Sequence, residues 1–289
     1  MTTVTTLQKA SFTAGLLMAA IAGLVLGCGT DRWHWAVPQK ATEEFPPLAH
    51  LPFGPGEELE FKFGWNGMIA VAGLATSLSS TAENGQEEFV LAYEGKTAPI
   101  LNSLWRCEAS GKTFLDPHTL QPRLAEFATR TGSRQKTIET RYDWPAGVAT
   151  STIQKSRRGQ AGSPKQVQLK PTLDIPSIFL LMRADAVPSK TTRTLKVLNG
   201  DTVYEVTLTP VGKERVTVAA GSFDACQYDV GVRELKEKDE SADETQPVQY
   251  RSVRAWLDEK SRMPLKIEAQ ISFGQVYAEL VRYHLGEAR

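Results

Sequence analysis

Alternation of apolar and polar residues along short segments is the feature that most constrains this chain of 289 residues. Between residues 58 and 65 every second position is apolar, and these apolar positions are Leu59, Phe61, Phe63 and Trp65. Successive side chains of a β-strand point to opposite faces, so the spacing predicts a half-buried strand.

The same period of two returns several times farther along the chain. The repeats are Phe89, Leu91 and Tyr93, then Ile138, Thr140 and Tyr142, then Val148, Thr150 and Thr152. Asn199-Gly200 stands between two more such segments and is a signal for a two-residue hairpin. Successive hairpins predict a mainly β fold, either a curved antiparallel sheet or a partly open β-barrel.

One segment has the pattern of a helix. Asp174 can cap its start, Pro176 falls in the first turn, and the apolar run Ile178–Met182 follows. A helix that is apolar nearly all round is expected to be buried. The sequence therefore predicts one buried helix at about 174–184, covering the concave face of the sheet.

The first 27 residues have the pattern of an export signal. Lys9 supplies a positive charge, and the uncharged stretch after it is too short to span a bilayer comfortably. The segment ends Leu24-Val25-Leu26-Gly27-Cys28, which resembles the lipobox of bacterial lipoproteins. That resemblance implies cleavage before Cys28 and attachment of diacylglycerol and palmitate-like acyl chains to its thiol.

Two other interpretations of the leader remain open. The leader is either an ordinary secretory signal cut near Gly27 or Gly29, with Cys28 incidental, or an uncleaved anchor. In Gram-negative lipoproteins the usual signal for retention in the inner membrane is an aspartate directly after the lipidated cysteine. In this chain Gly29 occupies that position. The expected location is then the outer membrane, facing the periplasm.

Three regions follow from these patterns. Residues 1–27 form the signal peptide, residues 28–53 a proline-containing tether without sustained periodicity, and residues 54–289 a single β-rich domain. The charged run Glu234–Glu244 is expected to be a solvated hairpin loop.

Charge and motif content argue against several classes of function. Removing Lys9 with the leader leaves 32 basic against 33 acidic residues, so nucleic acid is not an expected partner. His34, His50, His118 and His284 are too far apart in sequence for a metal motif. Ser110-Gly111-Lys112-Thr113 lacks the first glycine of a phosphate-binding loop. We therefore predict no catalytic residues, no metal and no cofactor.

Two sets of residues have open alternatives. Cys107 and Cys226 lie in strand-like segments and form either one disulfide or two free thiols. The large apolar side chains either fill a core or line a hydrophobic pocket, and the candidate lining residues are Phe61, Phe63, Trp65, Trp105, Phe179, Met182 and Trp256.

Four motifs together resemble the exported bacterial family called domain of unknown function 3108. They are Gly56–Phe61 with Trp65-Asn66-Gly67 and Ala72-Gly73, the helix Asp174–Arg183, Ala220–Asp224, and Trp256-Leu257-Asp258 with Met263–Ile267. The resemblance spans most of residues 54–285, and it implies no reaction and no catalytic residue. Some of these elements also resemble lipoprotein carriers, whose curved sheet wraps a helix and shelters acyl chains.

Three hypotheses about function follow. The first is a membrane-anchored, non-enzymatic protein that binds a lipid or another hydrophobic molecule in its curved sheet, and a completely filled interior would argue against it. The second is an assembly protein of the envelope that contacts other envelope proteins. The third is an uncharacterised hydrolase, which requires a nucleophile, a base and an orienting group in one cleft.

Overall fold

The protein is described by a computed structural model. The structure describes residues 48, 50–83, 85–101, 106–157, 160–170, 172–184, 192–235, 251–271 and 274–288. Within these residues the strands are β1 (Glu58–Trp65), β2 (Met68–Glu83), β3 (Gln86–Thr97), β4 (Cys107–Leu115), β5 (Pro122–Thr131), β6 (Arg134–Asp143), β7 (Val148–Arg157), β8 (Gln160–Ala161), β9 (Lys165–Leu169), β10 (Leu173–Asp174), β11 (Arg193–Asn199), β12 (Thr202–Val218), β13 (Gly221–Leu235), β14 (Arg251–Asp258), β15 (Pro264–Ile271) and β16 (Gly274–His284). A 3-10 turn at Pro99–Leu101 precedes β4, and helix α1 (Ile175–Ala184) follows β10.

These strands form one sheet in which almost all neighbours are antiparallel. Strands β1 to β7 follow one another in order, as do β11 to β16, while β8 and β9 both pair with β7. The pairing of β1 with β16 joins these two halves, so the first and last of the described strands are neighbours near the middle of the sheet. The short pairing of β10 with β11 is parallel.

The sheet curves around α1. One core cluster contains Leu78 and Phe89 from one half of the sheet, Val206 and Val232 from the other, and Leu180 from the helix. Side chains of distant strands share a core only if the sheet bends toward itself. The predicted mainly β fold, with a curved antiparallel sheet and one buried helix, is therefore confirmed.

The helix forms where its capping signals predict. The amide of Ser177 donates to Oδ1 of Asp174 at 2.8 Å, so Asp174 is the N-cap residue. Six helical side chains are buried, as expected for an apolar segment. The observed helix starts one residue after the predicted boundary and ends at the predicted one.

Turn residues explain how the hairpins close. Asn66 and Gly67, with φ of 46° and 79°, are the two central residues between β1 and β2, as a type I′ turn requires. In the β11–β12 hairpin the prediction is displaced by one residue. Asn199 pairs with Thr202, so Gly200 and Asp201 occupy the turn, and of the two residues only Gly200 has positive φ.

The predicted tether does not extend to residue 53. Leu51 and Phe53 are 3% and 1% exposed and belong to the core cluster that contains α1. The amide of Leu48 donates to the carbonyl of His118 at 2.8 Å. These residues pack without forming a strand or a helix. The alternation of apolar and polar residues that identifies strands therefore did not identify them as part of the domain. Residues 28–47 and the charged run from residue 236 onward lie outside the described residues.

Candidate functional site: an apolar cavity beside the buried helix

An apolar cavity of about 130 Å³ lies between α1 and the curved sheet. We call this space the helix cavity. Eight strands that are consecutive in the sheet, β11 to β16 followed by β1 and β2, surround one side of it. Its lining residues are Phe61, Phe63, Leu74, Ile175, Ile178, Phe179, Met182, Val197, Tyr204, Val206, Val230, Val232, Val253, Ala255, Ile267 and Ala278.

The helix contributes one face to the cavity. Ile175, Ile178, Phe179 and Met182 have the spacing i, i+3, i+4 and i+7, which places them in one row along the helix. Ile175, Phe179 and Met182 are only partly buried, whereas Leu180, between them in the sequence, is fully buried. The helix therefore packs tightly through its other face and leaves unfilled space beside this row.

Polar contacts fix the N-terminus of the helix. Oδ1 of Asp174 accepts from the amide and the hydroxyl of Ser177, and Oδ2 accepts from the hydroxyl of Thr113 on β4 at 2.7 Å. Burial raises the pKa of Asp174, although these hydrogen bonds act in the opposite direction. Burial also raises the pKa of the neighbouring Tyr93 and Tyr142, and the charge of Asp174 adds to both shifts.

A buried ion pair fixes the C-terminus of the helix. Nη1 and Nη2 of Arg183 donate to Oε1 and Oε2 of Glu57, each at 2.6 Å. Nε of Arg183 donates to the carbonyl of Arg262 at 3.2 Å, and the guanidinium lies 4.5 Å from the ring centroid of Phe53. Planar guanidinium and carboxylate groups are suited to this bidentate geometry.

Arg262 links the same end of the helix to the sheet. It has a φ of 56°, in the turn between β14 and β15. Its Nη2 donates to the hydroxyl of Tyr228 at 2.9 Å and to the carbonyl of Met182 at 3.4 Å. Both ends of α1 are therefore held by polar contacts, while its middle borders apolar space.

The structure brings together four of the seven predicted lining residues. Phe61, Phe63, Phe179 and Met182 line the helix cavity. Trp105 lies outside the described residues.

The other two tryptophans are not part of the cavity. Trp65 is 39% exposed at the end of β1. Trp256 is buried in a second core cluster, with its indole N–H donating to Glu214. Its neighbour Ala255 lines the cavity, and adjacent strand residues point to opposite faces. The structure therefore places neither Trp65 nor Trp256 in the lining of the helix cavity.

Sequence reasoning missed the aliphatic majority of the lining. The C-terminal half of the chain supplies Val197, Val206, Val230, Val232 and Val253. Their period-two spacing marks the apolar faces of β11 to β14, but it does not show that these faces border unfilled space. The buried partnership of Arg183 with Glu57 had no local signal, because 126 positions separate the two residues.

The two cysteines do not form a disulfide in the structure. Cys107, on β4, is buried and Cys226, on β13, is partly buried, and both are free thiols. Six strands of the sheet separate β4 from β13. The disulfide alternative is therefore not supported, and the free-thiol alternative describes the structure.

Two other features are absent from the described residues, a cluster of metal ligands and a membrane-crossing helix. No group of three or more histidine, cysteine, aspartate or glutamate side chains in them could hold a metal ion. No helix among the described residues has the length and apolar character needed to cross a membrane.

A family model described as "Protein of unknown function (DUF3108)" matches residues 60–281. The chain belongs to the DUF3108 family. The match includes α1 and every residue that lines the helix cavity, so the family assignment includes the cavity. None of the curated proteins matches this DUF3108 chain.

A solved structure is similar to this DUF3108 chain in fold. A β-barrel-like protein of domain of unknown function DUF1849 from Brucella abortus has a TM-score of 0.52 and 9% identity, covering 83% of this chain and 99% of its own. The hypothetical lipoprotein YmcC from Escherichia coli has a TM-score of 0.28 and 10% identity, covering 98% of this chain and 96% of its own. The first similarity supports the curved β architecture, and the second is too distant to add to it.

Proposed function

We propose that this chain is an envelope lipoprotein that binds a hydrocarbon chain in the helix cavity. The observation that carries the proposal is the lining, which consists of aliphatic and aromatic side chains on the helix and on eight strands. In this proposal the acyl chains on Cys28 hold the protein on the membrane, and the β-rich domain performs the binding. No chemical step is part of it.

The lining selects apolar ligands for a physical reason. Burying apolar surface contributes roughly 25 cal/mol per Å², whereas burying an unpaired polar group costs about 1–3 kcal/mol. An apolar cavity of about 150 Å³ in another protein stays dry and binds benzene. The helix cavity, at about 130 Å³, has a similar capacity and accommodates a short alkyl segment.

A longer acyl chain needs additional space beside α1. The partly buried residues Ile175, Phe179 and Met182 form the wall that would have to move. The polar contacts at the two ends of the helix oppose displacement of the whole helix, so we expect side-chain rearrangement in this row. Met182 is suited to it, because an unbranched thioether adapts to irregular spaces.

The cavity favours ligand binding over the second hypothesis, an assembly protein of the envelope. Unfilled apolar space has a direct use in a protein that binds hydrocarbon and no evident use in one that acts through its outer surface. Among the described residues, the large exposed apolar side chains are Trp65 on β1, Ile100 in the 3-10 turn, Val211 on β12, and Tyr283 and Leu285 at the end of β16.

Native mass spectrometry of the protein produced without its leader tests the binding proposal. We expect a co-purifying molecule with at least one alkyl chain. Val232→Thr places a hydroxyl in the cavity and should reduce occupancy at least tenfold, because each 1.4 kcal/mol is a factor of ten.

Val216→Thr is the matched control. Val216 and Val232 are both 9% exposed, but Val216 belongs to the second core cluster and does not line the cavity. Equal occupancy in the two variants, or a wild-type protein that carries and accepts no apolar molecule, would contradict the proposal.

The anchor is tested separately. Cells are labelled with radioactive palmitate, and the protein is compared with its Cys28→Ala variant. We expect label on the wild type alone, together with retention of the variant's uncleaved leader. A cleaved and unlabelled wild-type protein would instead indicate an ordinary secretory leader.

A further inference from the structure

Five cationic side chains lie on one face of the sheet at one end of β6, β7 and β9. They are Arg134, Lys136, Lys155, Arg157 and Lys165, and we call them the cationic surface. The register places Lys136 directly opposite Lys155 and Arg134 directly opposite Arg157. Lys165 is opposite Ile153, two residues before Lys155 on β7.

These side chains share the face that is buried farther along the same strands, where Gly200 of the β11–β12 turn lies beside Ile138 and Ile153. Two residues beyond Lys136, Ile138 pairs with Ile153, and both are buried. Beyond them, the hydroxyls of Thr140 and Ser151 are 2.9 Å apart. Because side chains repeat their direction every second residue, the cationic surface continues this row outward from the core.

Its cross-strand pairs are unfavourable for the fold. Like charges directly opposite each other destabilise a strand pair, and here two such pairs follow in succession. Burial lowers the pKa of Lys136, and the charge of Lys155 lowers it further, while Asp201 raises it. Asp201 also pairs with Lys165, at 3.8 Å between Nζ and Oδ2. Asp201 therefore offsets the charges of Lys136 and Lys165, whereas the register places Lys155, Arg134 and Arg157 opposite other cations.

The arrangement of the charges indicates what kind of anion it fits. Neighbouring strands are about 4.8 Å apart and residues two apart on a strand about 6.8 Å, so the backbone positions spread over three strands and three levels. Four of the five side chains are exposed, and Lys136 is half-buried. An open array of this kind matches several separate negative charges better than one enclosed anion.

We propose that the cationic surface docks the domain on a membrane surface that carries anionic phospholipid headgroups. The proposal rests on the proposed anchor at Cys28, which keeps the domain close to a membrane. Anionic leaflets attract basic residues of proteins held near them. Docking would fix the orientation of the domain, in addition to its location.

The length of the preceding chain permits this contact. The cationic surface lies at the β5–β6 turn, whereas Leu48 bonds to His118 in the β4–β5 turn, at the opposite end of β5. A strand of ten residues spans roughly 33 Å, and the twenty residues from 28 to 47 reach at most about 70 Å. The tether is therefore long enough for the far end of β5 to meet the lipid.

Lysine acylation of the full-length expression product on vesicles tests the proposal. Protein is reconstituted in phosphatidylcholine vesicles with or without phosphatidylglycerol, and the acylation rate of each lysine is measured by mass spectrometry. We expect slower acylation of Lys136, Lys155 and Lys165 on anionic vesicles, with protection lost at high salt. Lys112, on the opposite face, should react equally on both.

A charge-removing variant identifies the residues responsible. Lys136→Gln combined with Lys155→Gln should reduce the docked-to-undocked ratio roughly tenfold to thirtyfold, judged by acylation of Lys165. Removing the repulsive pair should leave thermal stability unchanged or higher, so lost docking cannot be attributed to unfolding. Lys112→Gln is the matched control, because Lys112 faces Glu126 and lies outside the cationic surface.

The outcomes separate this proposal from the anchor. Protein that floats with both kinds of vesicle but shows equal acylation on them retains the anchor and overturns the docking. Protein that floats with neither kind of vesicle contradicts the anchor. The acylation comparison is then repeated with excess vesicles, and lysines of the cationic surface that show no salt-sensitive protection under those conditions overturn the docking. Equal protection by inorganic phosphate without vesicles indicates a discrete anion site and also overturns it.

Discussion

Arg183 and Glu57 form a bidentate ion pair in the protein interior, with both N–O distances at 2.6 Å and side chains only 1% and 4% exposed. The pair joins the last turn of α1 to the segment that enters β1. One residue of the pair therefore positions the helix, and the other positions the strand that contributes Phe61 and Phe63 to the cavity.

Removing one partner of this pair should destabilise the fold. Glu57→Ala leaves the Arg183 guanidinium buried without its carboxylate, and we expect a loss of about 3–5 kcal/mol in the free energy of unfolding. Denaturant unfolding measures it. Glu139→Ala removes an exposed carboxylate that pairs with Arg141 and should leave that free energy nearly unchanged. Similar values for the two variants would contradict a structural role for the buried pair.

The carboxyl of Asp174 should make stability depend on pH. Burial raises the pKa of Asp174 in the folded state, so the stability that its protonated carboxyl contributes is fully present below the unfolded-state pKa of about 4. That contribution is lost as pH rises through the folded-state pKa. Asp174→Asn keeps a capping oxygen without the charge. We therefore expect the stability of this variant relative to wild type to increase with pH over that window.

Unfolding at a series of pH values, wild type against Asp174→Asn, measures this difference. Asp174→Ala provides the comparison at one pH, since it removes the cap of α1 and the acceptor of Thr113. It should be less stable than Asp174→Asn by about 1–2 kcal/mol. A difference between wild type and Asp174→Asn that does not change with pH would contradict burial of this charge.

Filling the helix cavity should remove ligand binding without unfolding the protein. Ala278 lines the cavity, so Ala278→Leu places its additional carbons in unfilled space. We expect unchanged or higher thermal stability and loss of the co-purifying molecule. Ala225→Leu makes the same change at a position that does not line the cavity, where Ala225 is 1% exposed, and should cost about 1–3 kcal/mol through overpacking. Equal destabilisation by both substitutions would indicate that the cavity has no usable space.

The two free thiols should differ in reactivity. Cys107 is fully buried, whereas Cys226 is only partly buried. In native protein we expect a maleimide to label Cys226 first and Cys107 only after unfolding. Intact mass under non-reducing conditions is the second measurement, and a mass lower by two hydrogens that is restored by reductant would indicate a disulfide.

Local patterns predicted the elements of this fold well. The alternation around Leu59 and Phe61 predicts β1, and the capping signals around Asp174 predict α1 to within one residue. Each signal acts over two to four positions, the range over which neighbouring side chains share a face. The displacement at Asn199 shows the limit, because the exact turn register depends on which residues pair across the strands.

Tertiary structure alone decided how these elements combine. It paired β1 with β16, placed Phe53 against Arg183, and left space beside Phe179 while burying Trp256 elsewhere. The sequence by itself therefore determined that the described part of the chain forms antiparallel strands and a buried helix. Which faces enclose the cavity depends on curvature and on contacts between residues more than a hundred positions apart, and no local period encodes those contacts.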